Sequence, residues 1–267
     1  MNDENTAGDT PGLFSLTLTN KTALVTGAGR GMGRGMAVAL ARAGADVAVV
    51  ARSPDDLKDV AGEIEATGRR ALAVPADVGR VPDIERMVDT VAETFSHIDI
   101  LVTAAGIIVR NQAENYTEEE FDRLMAINLK GRFFTCQAVG RVMLQQENGG
   151  AIINVGSLTC GIGLAGVAVY AVANGGIAQL TRTLSAEWSP KGVRVNCIAP
   201  GTFVTRTTEA VLNDPEKAAV RLRRIPQGRF GDPATDLDGA VVFLASPAAS
   251  YVTGQILYVD GGAISAY

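Results

Sequence analysis

The chain is poor in the residues that most often announce chemistry. Its 267 residues include one histidine, His97, one tryptophan, and three cysteines, Cys136, Cys160 and Cys197. A single histidine with no evident partner excludes a histidine-rich metal site, and no metal is expected. Three cysteines, odd in number and without metal-ligand spacing, do not make a disulfide scaffold and fit a reducing cytoplasm. Lysine is also scarce, occurring only at positions 21, 58, 130, 191 and 217. No apolar run reaches the roughly 18 residues needed to cross a bilayer, so no membrane partner is expected. The net charge of −5 argues against nucleic acid as a partner.

What is present is an apolar, glycine-rich globular composition. Apolar residues make up 47% and charged residues 20%, enough to bury a sizeable core. Residues 1–12 are polar and acidic and lack the basic and apolar regions of a signal peptide; they are expected to form a disordered tail. The remainder, 13–267, shows no linker, low-complexity tract or internal repeat, and reads as one domain.

Apolar runs alternate with helical patterns along that domain. Lys21–Thr26, Asp46–Ala51, Ala71–Pro75, Ile98–Thr103, Ala151–Val155, Val193–Ala199 and Ile256–Val259 are predicted strands. Most are continuously apolar, as parallel strands covered on both faces are. Between them, Leu57, Val60, Ala61 and Ile64 form one helical stripe, and Ile84, Met87, Val88, Val91, Ala92 and Phe95 another. Ser53-Pro54-Asp55-Asp56 supplies an N-cap, a first-turn proline and two acids for a helix start. Strand–helix alternation of this kind predicts an α/β fold with a doubly wound, seven-stranded parallel sheet.

Two constellations carry chemistry. The first is the turn Thr26-Gly27-Ala28-Gly29-Arg30-Gly31-Met32-Gly33, between the first strand and a helix. Glycines there let the backbone approach a pyrophosphate, and the helix N-terminus offers amide donors and a favourable dipole. An acid at the end of the second strand would bind a ribose 2′-hydroxyl and repel a 2′-phosphate. Here Ala51 and Arg52 stand at that place, and Arg30 lies in the turn. Two arginines favour NADP(H), with NAD(H) as the alternative if Arg52 only stacks beside adenine.

The second constellation is Ser157, at the end of an apolar strand, and Tyr170, thirteen residues on. Tyr170 begins the helical stripe Ala173, Asn174, Ile177, Ala178, Thr181, and Asn174 shares its face one turn along. Asn128 falls on the apolar side of a helix defined by Phe121, Leu124 and Met125, where a buried amide needs a partner. Arg110, after the fourth strand, and Arg206, after Pro200-Gly201, are candidate contacts for a substrate carboxylate. Thr159, Cys160 and Val167 are candidate pocket lining.

The glycine turn together with Ser157 and Tyr170 resembles the short-chain dehydrogenase/reductase family, over nearly everything from Phe14 onward. The resemblance implies a single-domain Rossmann fold and a homotetramer formed through the helices carrying Asn128 and Tyr170. It also implies hydride transfer between a nicotinamide cofactor and a small carbonyl or alcohol substrate. It places Asp77 and Val78 against adenine and Ala105 and Gly106 near the adenosine ribose. The Pro200-Gly201 loop, with the Phe203 backbone and the Thr205 side chain, would hold the nicotinamide end. Tyr170 would move the proton, Ser157 would hold the substrate oxygen, and Asn128 would hold a water of the proton relay. The segments Gly106–Arg110, Ala199–Phe203, Arg224–Gly231 and Val259–Gly262 look closest to the gluconate 5-dehydrogenase and 2-deoxy-gluconate 3-dehydrogenase group.

Two departures from the family pattern stand out. Thr103-Ala104-Ala105-Gly106 replaces Asn-Asn-Ala-Gly, removing amides that brace the sheet. More consequentially, Asn174 replaces the lysine that binds the nicotinamide ribose and activates the tyrosine. Asn174 can hydrogen-bond a ribose hydroxyl but brings no charge. Members that exchange the Asn and Lys positions offer no escape, because the exchanged position is still Asn128. Lys130 lies about 200° further around a helix and points away. Reduced activity biased toward carbonyl reduction is therefore expected. The alternative is a non-catalytic dinucleotide-binding protein acting as a sensor or partner subunit.

Overall fold

The structure, a computed structural model, describes residues 15–266, so the 1–12 tail and the first residues of the expected domain lie outside the described part. Seven strands form one sheet: β1 (Thr22–Thr26), β2 (Asp46–Ala51), β3 (Ala71–Pro75), β4 (Ile100–Thr103), β5 (Gly150–Val155), β6 (Val193–Pro200) and β7 (Ile256–Val259). Their order is β3-β2-β1-β4-β5-β6-β7, and every pairing is parallel. The chain runs outward from β1 to one edge, then returns to build the other half. The order therefore reverses between β1 and β4, where open sheets bind ligands beyond the strand ends. The helices are α1 (Gly31–Arg42), α2 (Pro54–Glu65), α3 (Val81–Phe95), α4 (Glu118–Met125), α5 (Gly131–Met143), α6 (Ala168–Trp188), α7 (Glu209–Leu212), α8 (Pro215–Leu222) and α9 (Asp238–Ala245).

Strand alternation divides the core into two layers. Ala23, Val25, Val47 and Val49 face Met36, Leu40, Leu57, Ile64 and Val241 of α1, α2 and α9. Leu24, Ala48, Val50 and Leu101 face Met87, Val91, Cys136, Val139 and Leu184 of α3, α5 and α6. The start of α2 follows the sequence expectation, with Ser53 Oγ accepting from Asp56 N at 3.3 Å. Strand bounds differ from expectation by two residues at most. The largest shift is at β4, where Ile98 and Asp99 precede the strand. His97 does have a partner: its Nε2 lies 3.2 Å from Asp99 Oδ2, and Lys21 Nζ reaches the same carboxylate at 2.9 Å. Both sit at the amino edge of the sheet, where β1 and β4 begin, and take no part in the site.

The sheet is braced without the family's paired asparagines. Thr103 Oγ1 donates to Asn154 Oδ1 at 2.8 Å, and Asn154 Nδ2 donates to Thr181 Oγ1 at 3.0 Å. This chain links β4, β5 and α6, and all three residues are fully buried. A buried group deprived of its partner pays its full desolvation penalty. Thr103→Val keeps the shape and removes the donor, and should cost about 1–3 kcal/mol in urea unfolding. Unchanged stability would show that the link braces nothing.

Candidate active site

The glycine turn is built for something approaching its backbone. Gly27 (φ +70°) and Gly31 (φ +57°) adopt left-handed conformations. A Cβ on Gly27 would lie 2.5 Å from Ala105 N, and one on Gly33 would overlap the Gly27 carbonyl oxygen. The N-cap of α1 is Arg30, with extended backbone and no side-chain cap, and the first turn contains no acid. The N-terminal amides, unprovided for by side chains, can receive an anion. A Cβ on Gly31 would lie 3.7 Å from Thr205 Cγ2, so the loop after β6 folds over the turn.

The adenine side is a cleft lined by Gly27, Arg52, Asp77, Val78, Ala105 and Gly106, together with Ile107 and Ile127. Asp77 Oδ1 accepts from Gly79 N at 2.9 Å, fixing the turn after β3. Arg52 and Arg30 are both exposed, one at the end of β2 and one at the head of α1. The loop after Pro200-Gly201 is held by Val204 N donating to Gly231 O at 2.9 Å and by Thr208 Oγ1 donating to Phe203 O at 2.6 Å. These backbone cradles and the uncapped helix fit a dinucleotide. Gly27, Gly31, Gly33, Met32 and Thr205 would surround its pyrophosphate and nicotinamide half, and Arg52, Asp77 and Val78 its adenosine.

Ser157 follows β5 at the carboxyl edge and is half-buried; its Oγ accepts only a long bond, 3.4 Å, from Thr159 N. Tyr170 lies in the first turn of α6, half-buried among Ile107, Val109 and Leu124. A bridge between Asn111 and Val167 ties the segment after β4 to the start of α6. Arg110 thereby lies next to a residue bridged to the start of α6 and is exposed, as Arg206 is on its own loop.

Asn128, Asn174, Thr159 and Cys160 lie deeper, around the start of α6 and the end of β5. Asn128 is buried with its amide satisfied in both directions: Oδ1 accepts from Ile107 N at 2.9 Å and Nδ2 donates to Ile107 O at 2.8 Å. Its side chain holds the loop after β4, the partner that a buried amide there was expected to need. It lies in a π-helical turn, Ala126–Lys130, of the kind that often marks functional sites. Asn174 is only 1% exposed, and its Nδ2 donates to Tyr170 O at 2.9 Å. The amide bonds back to its own helix through one of its donors. Thr159 is buried rather than facing an open pocket, and its Oγ1 has no hydrogen-bond partner. Cys160 turns its sulfur toward Asn174 O, at 3.4 Å. A hydrogen bond from Cys197 holds the Cys160 thiol down at about 7 and raises that of Cys197.

One residue escaped the sequence reading. Arg132, on α5, is 6% exposed, with Nη2 and Nε donating to Ala105 O at 3.0 and 3.3 Å and Nη1 donating to Val155 O. The guanidinium joins the chain just beyond β4 to the last residue of β5, directly beneath the site. The signal was its spacing: Arg132 is four residues after Asn128 and shares its helix face. Lys130 is exposed, as its helical angle requires.

The comparisons agree with this geometry. The family described as enoyl-(acyl carrier protein) reductase matches residues 27–263. A 2-dehydro-3-deoxy-D-gluconate 5-dehydrogenase from Escherichia coli K12 is 39% identical, over 94% of this chain and 98% of its own length. A 3-oxoacyl-[acyl-carrier-protein] reductase from Staphylococcus epidermidis is 41% identical over 91% of this chain and 98% of its own. A gluconate 5-dehydrogenase from Burkholderia cenocepacia, crystallised with NADP and tartrate, superposes with a TM-score of 0.91 at 34% identity, covering 96% of this chain and 99% of that one. The fold and site define a dinucleotide-dependent oxidoreductase of the Rossmann type. Within that class, the chain belongs to the short-chain dehydrogenase/reductase family. Gly33→Ala should weaken NADPH binding by more than about tenfold, about 1.4 kcal/mol, as read by cofactor fluorescence. An unchanged affinity would contradict the proposed cradle.

Proposed function

We propose that the protein is an NADP(H)-preferring oxidoreductase that interconverts a carbonyl and a secondary alcohol on a small polyhydroxylated acid. The observation that carries this is that the turn opened by Ser157 packs against α6, the helix whose first turn carries Tyr170, on a sheet whose β1–α1 turn offers a glycine cradle that a dinucleotide fits. The sugar-acid reading is supported by the names of its relatives, and by exposed Arg110, next to a residue bridged to the start of α6, as a partner for a carboxylate. NADP over NAD is supported by Arg52 and Arg30 and by the NADP bound to the Burkholderia enzyme.

The bound nicotinamide would supply or accept hydride. Ser157 Oγ, free of any short bond to the protein, holds the substrate oxygen. In reduction, neutral Tyr170 passes its hydroxyl proton to the carbonyl oxygen and is reprotonated from water. In oxidation, the phenolate must take the alcohol proton. With an uncharged Asn174 in the lysine position, that position brings no cation to favour the phenolate that oxidation needs, whereas reduction needs none. The enzyme works best as a reductase.

Phe121, Phe133 and Val172 are exposed on α4, α5 and α6, at 42%, 41% and 57%. That apolar face supports a homotetramer built through these helices.

Two outcomes test the reading. Arg52→Ala should weaken NADPH binding by about tenfold while leaving NADH within about twofold, because it removes one exposed charge-assisted contact; equal loss for both would favour simple stacking. With a sugar-acid panel, alcohol oxidation should climb steadily from pH 7 toward pH 10 while reduction does not. Asn174→Lys should raise oxidation at pH 7 about tenfold more than reduction. A flat oxidation profile, or no gain from the lysine with binding intact, would refute the directional account.

A further inference from the structure

We propose that Cys160 and Cys197 form a redox-active dithiol, which a peroxide closes reversibly to a disulfide and which thereby governs the turn that presents Ser157. The pairing stands apart from the activity; its effect on turnover rests on the oxidoreductase reading above.

The two sulfurs share one small space. A Cβ on Gly156 would lie 2.5 Å from Cys160 Sγ and 2.9 Å from Cys197 Sγ, so the missing side chain leaves room for both. They come from separate pieces of chain. Cys197 lies within β6, in register with Asn154 on one side and Ile256 on the other. Cys160 ends the single turn Leu158–Cys160, whose N-cap is Ser157, and its N donates to Ser157 O at 2.9 Å. Joining the sulfurs brings them to about 2.05 Å. The adjustment falls on the turn, because β6 is held by a strand on each side.

The pair is unequal in the way a peroxide-reactive dithiol requires. Cys160 is partly exposed, and Cys197 is fully buried. The hydrogen bond between the thiols holds Cys160 at about 7, and the same bond with burial pushes Cys197 well above the usual thiol range. Thiolate is the nucleophile toward peroxide, so Cys160 reacts first and Cys197 resolves. Cys136 is the internal control: it is buried, pushed up to about 12, and its sulfur donates to Asn154 Oδ1 at 3.4 Å.

The chemistry balances with hydrogen peroxide as oxidant. The Cys160 thiolate attacks one peroxide oxygen; an S–O bond forms, the O–O bond breaks, and the departing hydroxide takes up a proton as water. The Cys197 sulfur then attacks the sulfenic sulfur. An S–S bond forms, the S–O bond breaks, and the Cys197 proton leaves with that hydroxide as a second water. The two thiols lose two electrons and the peroxide gains them. In a reducing compartment such a disulfide is transient, as redox-sensing pairs are.

Cys160 also touches the tyrosine helix, where its thiol donates to Asn174 O at 3.4 Å. Closure removes that proton, draws the sulfur toward β6 and pulls on the turn headed by Ser157. A displacement of about 1 Å in a site of this kind can cost about a hundredfold in rate. The glycine cradle, on β1 and α1, stands outside the closed loop.

The test treats wild type, Cys160→Ser, Cys197→Ser and Cys136→Ser with hydrogen peroxide, blocks the remaining thiols, and maps peptides by mass spectrometry. Wild type should give a linked Cys160–Cys197 peptide pair, its three thiols falling to one, with dithiothreitol restoring all three. NADPH-dependent turnover should fall about tenfold or more and return with dithiothreitol, while NADPH affinity by fluorescence stays within about twofold. Cys136→Ser should form the same link. Cys160→Ser should keep its own untreated activity through the same dose. Cys197→Ser should carry Cys160 on to sulfinic acid, which dithiothreitol does not reverse. No linked pair in wild type, or Cys136 consumed as fast as Cys160, overturns the dithiol. A pair that forms without changing turnover overturns its control of the Ser157 turn. Wild type with no NADPH-dependent turnover before oxidant overturns the oxidoreductase reading and the control that rests on it, and the linked peptide still decides the dithiol.

Discussion

The site depends on a backbone crossing that tolerates no side chain. Gly27 passes so close to Ala105 that a Cβ would sit 2.5 Å from its amide nitrogen, and Gly33 packs as tightly on Gly27. That contact presses the turn after β1 against the segment after β4, where the strand order reverses. It leaves the uncapped head of α1 facing the cleft. The same segment after β4 continues through Gly106 and Ile107 to Asn128, and through Asn111 to the start of the tyrosine helix. Cofactor cradle and proton-transfer residues are thus joined by a few residues of main chain.

Charge is distributed around this frame in an unusual way. The position that would carry lysine holds an amide that bonds back to its own helix. The cation present is a buried arginine, anchored to two strand ends by carbonyls alone. Taking that guanidinium out of water is costly, and the carbonyl bonds offset part of the cost while tying the ends of β4 and β5 together. The Thr103–Asn154–Thr181 chain, by contrast, is neutral and fully paired.

Most of the fold was legible in the sequence because parallel strands buried on both faces are written as unbroken apolar runs, and β2, β3 and β7 begin and end where those runs do. The glycine turn was legible because its function is a backbone function and glycine alone permits it. Other features were not. The partner of His97 is Asp99, two residues away, but only the turn into β4 aims one at the other. Asn128 was correctly read as buried, yet its partners, the main-chain groups of Ile107, leave no side-chain mark in a sequence. Arg132 was not legible because its partners are the main-chain carbonyls of Ala105 and Val155, and only packing shows that its guanidinium is buried. Asn174 was placed on the right face, but whether its short amide reaches outward or turns back is settled by packing.

The central claim is that this arrangement performs hydride transfer rather than merely holding a dinucleotide. The most direct measurement follows deuterium from NADPH labelled at the nicotinamide C4 into the product formed from a keto sugar acid. The account predicts deuterium on the new carbinol carbon, with the label lost when Tyr170→Phe replaces the wild type. Tight NADPH binding with no deuterium reaching any carbonyl compound offered would contradict it.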